Sequence, residues 1–94
     1  MIVKLHKSHD KKVIVAVCDS DLIGKKFEEN GVQLDCASGF YAGKEAGSDE
    51  LIRLVRGAYI VNAVGKKSIR VLKAAGILSQ TIKVQGIPHA QVLL

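Results

Sequence analysis

Apolar residues occur along the chain in short runs separated by polar or glycine-containing turns. Residues 2–6 alternate between apolar and polar side chains and predict a strand with Val3 and Leu5 on one face. Residues 13–18 are β-branched and apolar on both faces, which predicts a central strand covered on both sides. The polar segment 7–12 predicts a hairpin loop between these two strands.

A second hairpin is predicted over residues 25–36. Asn30–Gly31 is the pair that a type I′ turn prefers, because both central residues need positive φ. A two-residue loop places Phe27 opposite Leu34 and so forms an apolar face. A continuous helix over 20–30 is the alternative, and the Asn-Gly pair weighs against it.

The rest of the chain predicts two helices and further strands. After a loop over 37–47, the predicted elements are a helix over 48–56 with Ser48 as its N-cap, a buried strand over 58–64, a helix over 66–75, a strand over 81–84, and a turn with an edge strand over 86–92. Pro88 cannot donate to a ladder, so we expect it at an edge or outside the sheet. This order predicts an α+β fold, with a mixed sheet built from two N-terminal hairpins and two amphipathic helices packed on it.

The composition predicts one globular domain over residues 1–94. Of the 94 residues, 48% are hydrophobic and 24% are charged, which argues against disorder. The longest apolar run, Val13–Cys18, is far shorter than the ~20 residues of a membrane span. No basic segment leads into a long apolar stretch near the N-terminus. We therefore expect a cytoplasmic protein with no membrane partner.

Positive charge is concentrated in the second half of the chain. The formal net charge is +5, yet no acid follows Glu50. The cations beyond that point are Arg53, Arg56, Lys66, Lys67, Arg70, Lys73 and Lys83. This asymmetry predicts an anionic partner, most commonly nucleic acid, and the alternative is a solvated basic face that only aids solubility.

The predicted helix over 66–75 carries much of this charge on one side. At 100° per residue its four cations fall within about 120° of each other, with Leu72 on the opposite side. Gly65 lies at the strand-to-helix turn, where free backbone N–H groups favour an anion. The turn is not a nucleotide-triphosphate loop, which needs a glycine where Ile60 stands and Ser or Thr where Lys67 stands. The predicted nucleic-acid-binding residues are Gly65, Lys66, Lys67, Arg70 and Lys73.

The two cysteines do not predict a metal centre. Neither Cys18 nor Cys36 has a close partner of the kind that structural zinc requires, and both fall on apolar strand faces. We expect them to be small buried hydrophobes. A disulfide between them would need neighbouring strands, and a cytoplasmic setting disfavours it. No metal, cofactor or catalytic residue is predicted.

The segment 86–91 places polar side chains in an apolar context near the C-terminus. His89 could act as a general base or bind phosphate. The simpler interpretation is a turn in which His89 and Gln91 hydrogen-bond to backbone groups. A candidate ligand site combines the polar and thiol residues of several predicted strands, namely Cys18, Asp19, Asn62, His89 and Gln91.

Several short segments together are similar to a known family. These are Val15–Asp19, Leu22–Lys25, Phe40–Gly43, Asn62–Gly65 and Gly86–Gln91. They resemble the small archaeal family known as domain of unknown function 424 over nearly the whole chain, and the last segment is the most specific. The resemblance implies a single-domain, cytoplasmic archaeal protein and implies no reaction. The family's recurring positions correspond to Cys18, Asp19, Gly24, Lys25, Tyr41, Gly43, Asn62, Gly65, Pro88, His89 and Gln91.

Three functional hypotheses follow from the sequence. The favoured one is a small RNA-binding, ribosome-associated or translation-associated protein that uses the basic helix, with affinity that falls as salt rises. The second is a small-ligand-binding protein or an enzyme built on the candidate ligand site, of which an enzyme is the less favoured form. The third is a protein-interaction module, or a homodimer, that pairs through a sheet edge near residues 81–92.

Overall fold

The strands and helices follow the predicted order closely. The computed structural model describes residues 1–94. Its strands are β1 (Ile2–Lys7), β2 (Val13–Cys18), β3 (Lys26–Glu29), β4 (Val32–Asp35), β5 (Lys44–Glu45), β6 (Ile60–Val64), β7 (Ile82–Val84) and β8 (Ile87–Leu93). Its helices are α1 (Ser48–Arg56) and α2 (Lys66–Ala74), and single 3-10 turns lie at Ser20–Leu22 and Gly39–Tyr41.

Six strands form one mixed sheet in the order β5-β1-β2-β6-β8-β7. The pair β2–β6 is parallel, and every other pair in this sheet is antiparallel. A parallel pair needs a crossover connection, and the segment containing α1 supplies it. The predicted α+β fold with two helices and a mixed sheet is confirmed.

The second hairpin has the predicted register but a different place in the fold. Phe27 pairs with Leu34, and Asn30 and Gly31 have φ of 52° and 81°, as a type I′ turn requires. However, β3 and β4 form a separate two-stranded sheet instead of extending the main one. Both edges of β2 are already occupied by β1 and β6, so the hairpin packs on the sheet face through Leu34 and Phe27.

The last strand corrects a second prediction. β8 lies inside the sheet between β6 and β7, so Pro88 is not at an edge. The Pro88 carbonyl accepts a hydrogen bond from the Gly65 N–H at 2.8 Å, which shows that residue 88 turns its backbone polar groups toward β6. The β6–β8 register ends with Val64 opposite His89, so the missing N–H of Pro88 falls just beyond the ladder. The edge strand of this region is the three-residue β7.

Two smaller differences occur around α1. The helix has Gly47 as its N-cap, so Ser48 is its first helical residue and not the cap. The predicted loop over 37–47 contains the short strand β5, which pairs with β1. A side chain at Gly43 would overlap the Val3 carbonyl, so glycine there lets this loop lie directly against β1.

The sheet separates two buried clusters. On the helix side, Val15, Val17 and Val61 pack against Leu51 and Leu72 from the two helices. On the hairpin side, a smaller cluster contains Cys18, Leu22, Leu34, Cys36, Val64 and Val84. Alternation along each strand assigns neighbouring residues to opposite clusters, as Val17 and Cys18 illustrate. Neither helix has the length and apolar character needed to cross a membrane.

Candidate nucleic-acid interface

The junction of β2 and α2 is organised by the carboxylate of Asp19. It accepts hydrogen bonds from the backbone N–H of Lys67 at 3.0 Å and of Ser68 at 2.8 Å. The Ser68 hydroxyl donates to the same carboxylate at 2.7 Å, and Ser68 is fully buried. Asp19 therefore satisfies N–H groups that a helix start leaves without partners and places a negative charge at the positive end of the helix dipole.

This capping differs from the phosphate site expected at the Gly65 turn. The chain's own carboxylate occupies two N–H groups that a phosphate would use at the start of α2. Gly65 is itself buried with φ of 108°, and its N–H donates a hydrogen bond to the Pro88 carbonyl. A side chain at Gly65 would overlap the Asp19 carboxyl, so the glycine allows the cap to form. An anion near this turn could therefore be held only by the cationic side chains beyond it.

A concave surface runs along α2 where the helix meets β7 and β8. We call it the basic groove, and its volume is about 650 Å³. Its lining residues are Lys66, Ile69, Arg70, Lys73, Ala74, Thr81, Lys83, Gly86 and Pro88. Four of these are cations and none is an acid, so the groove is uniformly positive.

The predicted basic stripe divides between two surfaces. Lys66, Arg70 and Lys73 fall within about 60° of one another around the helix and line the basic groove. Lys67 lies farther round the helix, near Glu45. The pKa of the Glu45 carboxyl is lowered mainly by hydrogen bonds from the N-terminal ammonium and Ser20, and the charge of Lys67 adds a smaller contribution. Of the predicted cations on α2, Lys67 is thus the one outside the groove.

Lys83 belongs to the groove but was not among the predicted binding residues. The alternation of β7 carries the signal that could have found it, because Lys83 points away from the face of Ile82 and Val84. Placing the Lys83 face of β7 beside α2 also requires that β8 lie between β6 and β7, and the sequence pattern did not predict this order. None of the ion pairs in the structure involves a groove cation.

A second cavity lies on the opposite face of the sheet, and we call it the polar cavity. Its volume is about 470 Å³. Its lining residues are Tyr41, Asn62, Ala63, Gln80, Thr81, Ile82, His89, Ala90 and Gln91. Asn62 and Gln91 are direct partners across β6 and β8. His89 lies two residues from Gln91 on β8 and therefore on the same face of the sheet. Three residues of the predicted ligand site therefore meet here.

The other two members of the predicted ligand site lie elsewhere. Asp19 caps α2, and Cys18 is buried in the hairpin-side cluster beside Cys36. Both cysteines are free, and their predicted role as buried hydrophobes is confirmed. Burial raises the pKa of both thiols, which opposes formation of the thiolate that a nucleophilic cysteine needs. No group of three or more His, Cys, Asp or Glu side chains is gathered as a metal site would require.

The imidazole of His89 has hydrogen-bonding capacity that the chain does not use. Its Nδ1 is buried and has no hydrogen-bond partner, so it does not hold a backbone group in the way the simpler interpretation of this segment expected. A buried polar atom without a partner costs about 1–3 kcal/mol. Because His89 also lines the polar cavity, its imidazole is a candidate ligand contact.

One phenol ring lines the polar cavity. It belongs to Tyr41, whose pKa is raised to about 12 mainly by burial. Phe40 contacts it edge-to-face with ring centroids 5.1 Å apart. The imidazole of His6 stacks on Phe40 at 4.5 Å, and its Nε2 lies 2.8 Å from the Phe40 carbonyl. These contacts fix the aromatic pair against β1.

The sheet, the helix pair and the cation-lined groove define a small α+β protein with a concave basic surface. The chain belongs to the family described as "Protein of unknown function (DUF424)", whose model matches residues 6–94. The resemblance inferred from the sequence motifs is confirmed.

A solved structure has the same architecture. The crystal structure of an uncharacterized conserved protein from Methanopyrus kandleri is 27% identical, and the match covers 97% of this chain and 88% of that one, with a TM-score of 0.81. No curated protein matches the chain. Neither description names a ligand or a reaction.

Proposed function

We propose that this protein binds single-stranded RNA by holding its phosphates in the basic groove. Four exposed cations, Lys66, Arg70, Lys73 and Lys83, line one concave surface with no acid among the lining residues. This observation carries the proposal, because backbone phosphates supply most of the affinity of nucleic-acid-binding proteins. An RNA-binding surface of this kind also suits a ribosome-associated or translation-associated protein.

The arrangement favours an anion-binding role over a merely solubilising one. The groove cations make no ion pair within the chain, although nine acids are present in it. A charged face that only aids solubility requires neither concavity nor the exclusion of acids. Here the cations of α2 face Lys83 across a cleft, which adds their fields at one place.

The shape of the surface favours a single strand. The cationic side of α2 is one wall of a cleft, and β7 with β8 forms the other. Proteins that bind single-stranded RNA combine a positive groove that follows the backbone with surfaces for the bases. Duplex RNA is read instead by contacts that extend across successive minor grooves.

The experiment that tests this proposal is a pair of charge-reversal variants with equal net charge. The groove variant carries Lys66→Glu, Arg70→Glu and Lys73→Glu. The control variant carries Lys4→Glu, Lys7→Glu and Lys44→Glu on β1 and β5, at the opposite edge of the sheet. Each replacement lowers the net charge by 2, so both variants change from +5 to −1.

Binding is measured by fluorescence anisotropy with a labelled single-stranded RNA at low salt. We expect the wild type to bind, the groove variant to lose binding, and the control variant to retain most of its affinity. Equal losses in both variants would show that only net charge matters and would overturn the proposal. So would an absence of binding by the wild type at the lowest salt. Co-sedimentation with ribosomes, using the same three proteins, then asks whether ribosomal RNA is bound in the same way.

A further inference from the structure

We infer that the polar cavity is a nucleobase subsite for the RNA whose phosphates occupy the basic groove, an inference that rests on the proposed function. The two surfaces adjoin, because Thr81 lines both of them. A single strand bound in the groove can therefore turn round the sheet edge at Thr81 and place one base in the cavity.

The strands β7 and β8 carry both surfaces on their opposite faces. Lys83 and Pro88 are partners in the register and line the groove. Ile82 and His89, the next pair along, line the cavity. Because side chains alternate between the faces of a strand, Pro88 lies on the groove side of β8 and His89 lies on the cavity side. Adjacent residues can therefore contact the phosphate and the base of one RNA. Since β7 is the edge strand, no further strand separates the groove from the cavity.

The chemistry of the cavity fits an uncharged ring with hydrogen-bonding edges. Its polar side chains include the amides of Asn62, Gln80 and Gln91 and the imidazole of His89, and no Lys, Arg, Asp or Glu lines it. Each amide offers a donor and an acceptor, which is the pattern found on the edges of a nucleobase. A phosphate or carboxylate group finds no opposite charge there and is better placed in the groove.

Two further features favour a base over another neutral ligand. Tyr41 lines the cavity, and aromatic side chains stack on bases with little sequence preference. The Nδ1 atom of His89 lacks a hydrogen-bond partner. A half-turn of the imidazole about χ2, a broad and roughly two-fold torsion, exchanges the positions of Nδ1 and Cδ2. His89 can then contact a base without breaking a bond within the chain.

The first test uses ribonucleosides, which carry a base and no phosphate. The isotope-labelled protein is titrated with each of the four nucleosides and, separately, with ribose 5-phosphate, and NMR spectra record the side-chain amides and imidazoles. We expect at least one nucleoside to shift the signals of Asn62, His89 and Gln91. The exposed amide of Gln33, on β4, is the internal control and should not shift. Ribose 5-phosphate should leave the cavity signals in place.

The inference is overturned if no nucleoside shifts the cavity signals, or if ribose 5-phosphate shifts them equally. This result can be distinguished from failure of the proposed function. If RNA binds and nucleosides leave the cavity signals unchanged, the groove proposal stands and the base subsite is wrong. If nucleosides shift the cavity signals and no RNA binds, the cavity recognises bases and the groove proposal is wrong.

The second test measures RNA affinity directly with two single variants. We expect Asn62→Ala to weaken binding of single-stranded RNA by about 2- to 13-fold, the range caused by loss of one hydrogen bond. Gln33→Ala should bind as the wild type does. An oligomer of abasic ribose phosphates should bind both variants and the wild type equally. Equal RNA affinity of Asn62→Ala and the wild type would contradict a base contact at this position.

Discussion

Replacing Asp19 by alanine tests the junction on which the position of α2 depends. The substitution removes the acceptor of three hydrogen bonds, two from the backbone of Lys67 and Ser68 and one from the Ser68 hydroxyl. Because Asp19 follows β2 and the donors lie at the start of α2, these contacts join parts of the chain 48 and 49 residues apart. The expected result is a large loss of stability without a change of fold.

The magnitude follows from the groups left without partners. Loss of a helix cap costs about 1 kcal/mol, within a range of about 0.5–2 kcal/mol. The fully buried Ser68 hydroxyl loses its acceptor, which costs about a further 1–3 kcal/mol. The free energy of unfolding should therefore fall by about 3 kcal/mol. Asp19→Asn keeps the Oδ1 acceptor and places an amide NH2 against the Lys67 N–H, so its loss should be about 1–2 kcal/mol.

Urea unfolding followed by circular dichroism measures these differences. With a denaturant slope of about 1.5 kcal/mol/M, Asp19→Ala should lower the midpoint by about 2 M. Asp21→Ala is the matched control, because Asp21 is exposed in the adjoining turn and its loss should change stability by no more than about 0.5 kcal/mol. Equal midpoints for Asp19→Ala and Asp21→Ala would refute the assignment of the cap.

Four further predictions concern individual residues and the cysteine pair. Gly65→Ala should destabilise the fold more than Gly24→Ala in the same urea assay, because both glycines have positive φ but only at Gly65 would the new side chain overlap Asp19; equal losses would contradict this. Cys18 and Cys36 should resist a thiol reagent until the chain unfolds, since they are buried and their pKa values are raised; rapid labelling without denaturant would be inconsistent with the structure. Because the pKa of both thiols is raised in the native state, the free energy of unfolding should fall as pH rises above the ordinary thiol pKa of 9.0, where the unfolded chain releases protons that the native state keeps. An unchanged urea midpoint at about pH 10 would contradict this pH dependence. Lys67→Glu should weaken RNA binding less than Arg70→Glu in the anisotropy assay, since Lys67 lies outside the groove; a reversed order would require another binding surface.

Local chemistry made most of the elements predictable. The Asn30–Gly31 pair determines the type I′ turn and with it the register of β3 and β4, and both were predicted correctly. The β-branched run of β2 identified a strand covered on both faces, and this strand is central in the sheet. In each case the signal comes from residues adjacent in the sequence.

Features that depend on tertiary packing were harder to predict. The hairpin β3–β4 has the pattern of a sheet strand pair, and only the occupied edges of β2 place it on the sheet face. Pro88 suggested an edge, but its missing N–H lies beyond the last β6 pair, so an inner strand accommodates it. Propensity and pattern describe the segment, whereas the partners of a strand depend on the whole sheet.

The candidate site shows the same division. The periodicity of α2 identified Lys66, Arg70 and Lys73 correctly as neighbours, because they belong to one helix. The sequence also suggested that Asn62, His89 and Gln91 could share a site, and they line one cavity. It did not predict that Lys83 joins the groove or that Asp19 caps α2, since these contacts join distant segments.

The salt dependence of RNA affinity tests the proposed function most directly. If each of the four groove cations contacts one phosphate, the logarithm of the association constant should fall with the logarithm of salt concentration at a slope of about −2.8. Affinity would then drop about 50-fold between about 50 and 200 mM salt. The variant Arg70→Ala should reduce the slope to about −2.1. A slope near zero, or one that Arg70→Ala leaves unchanged, would contradict the binding of RNA phosphates in the basic groove.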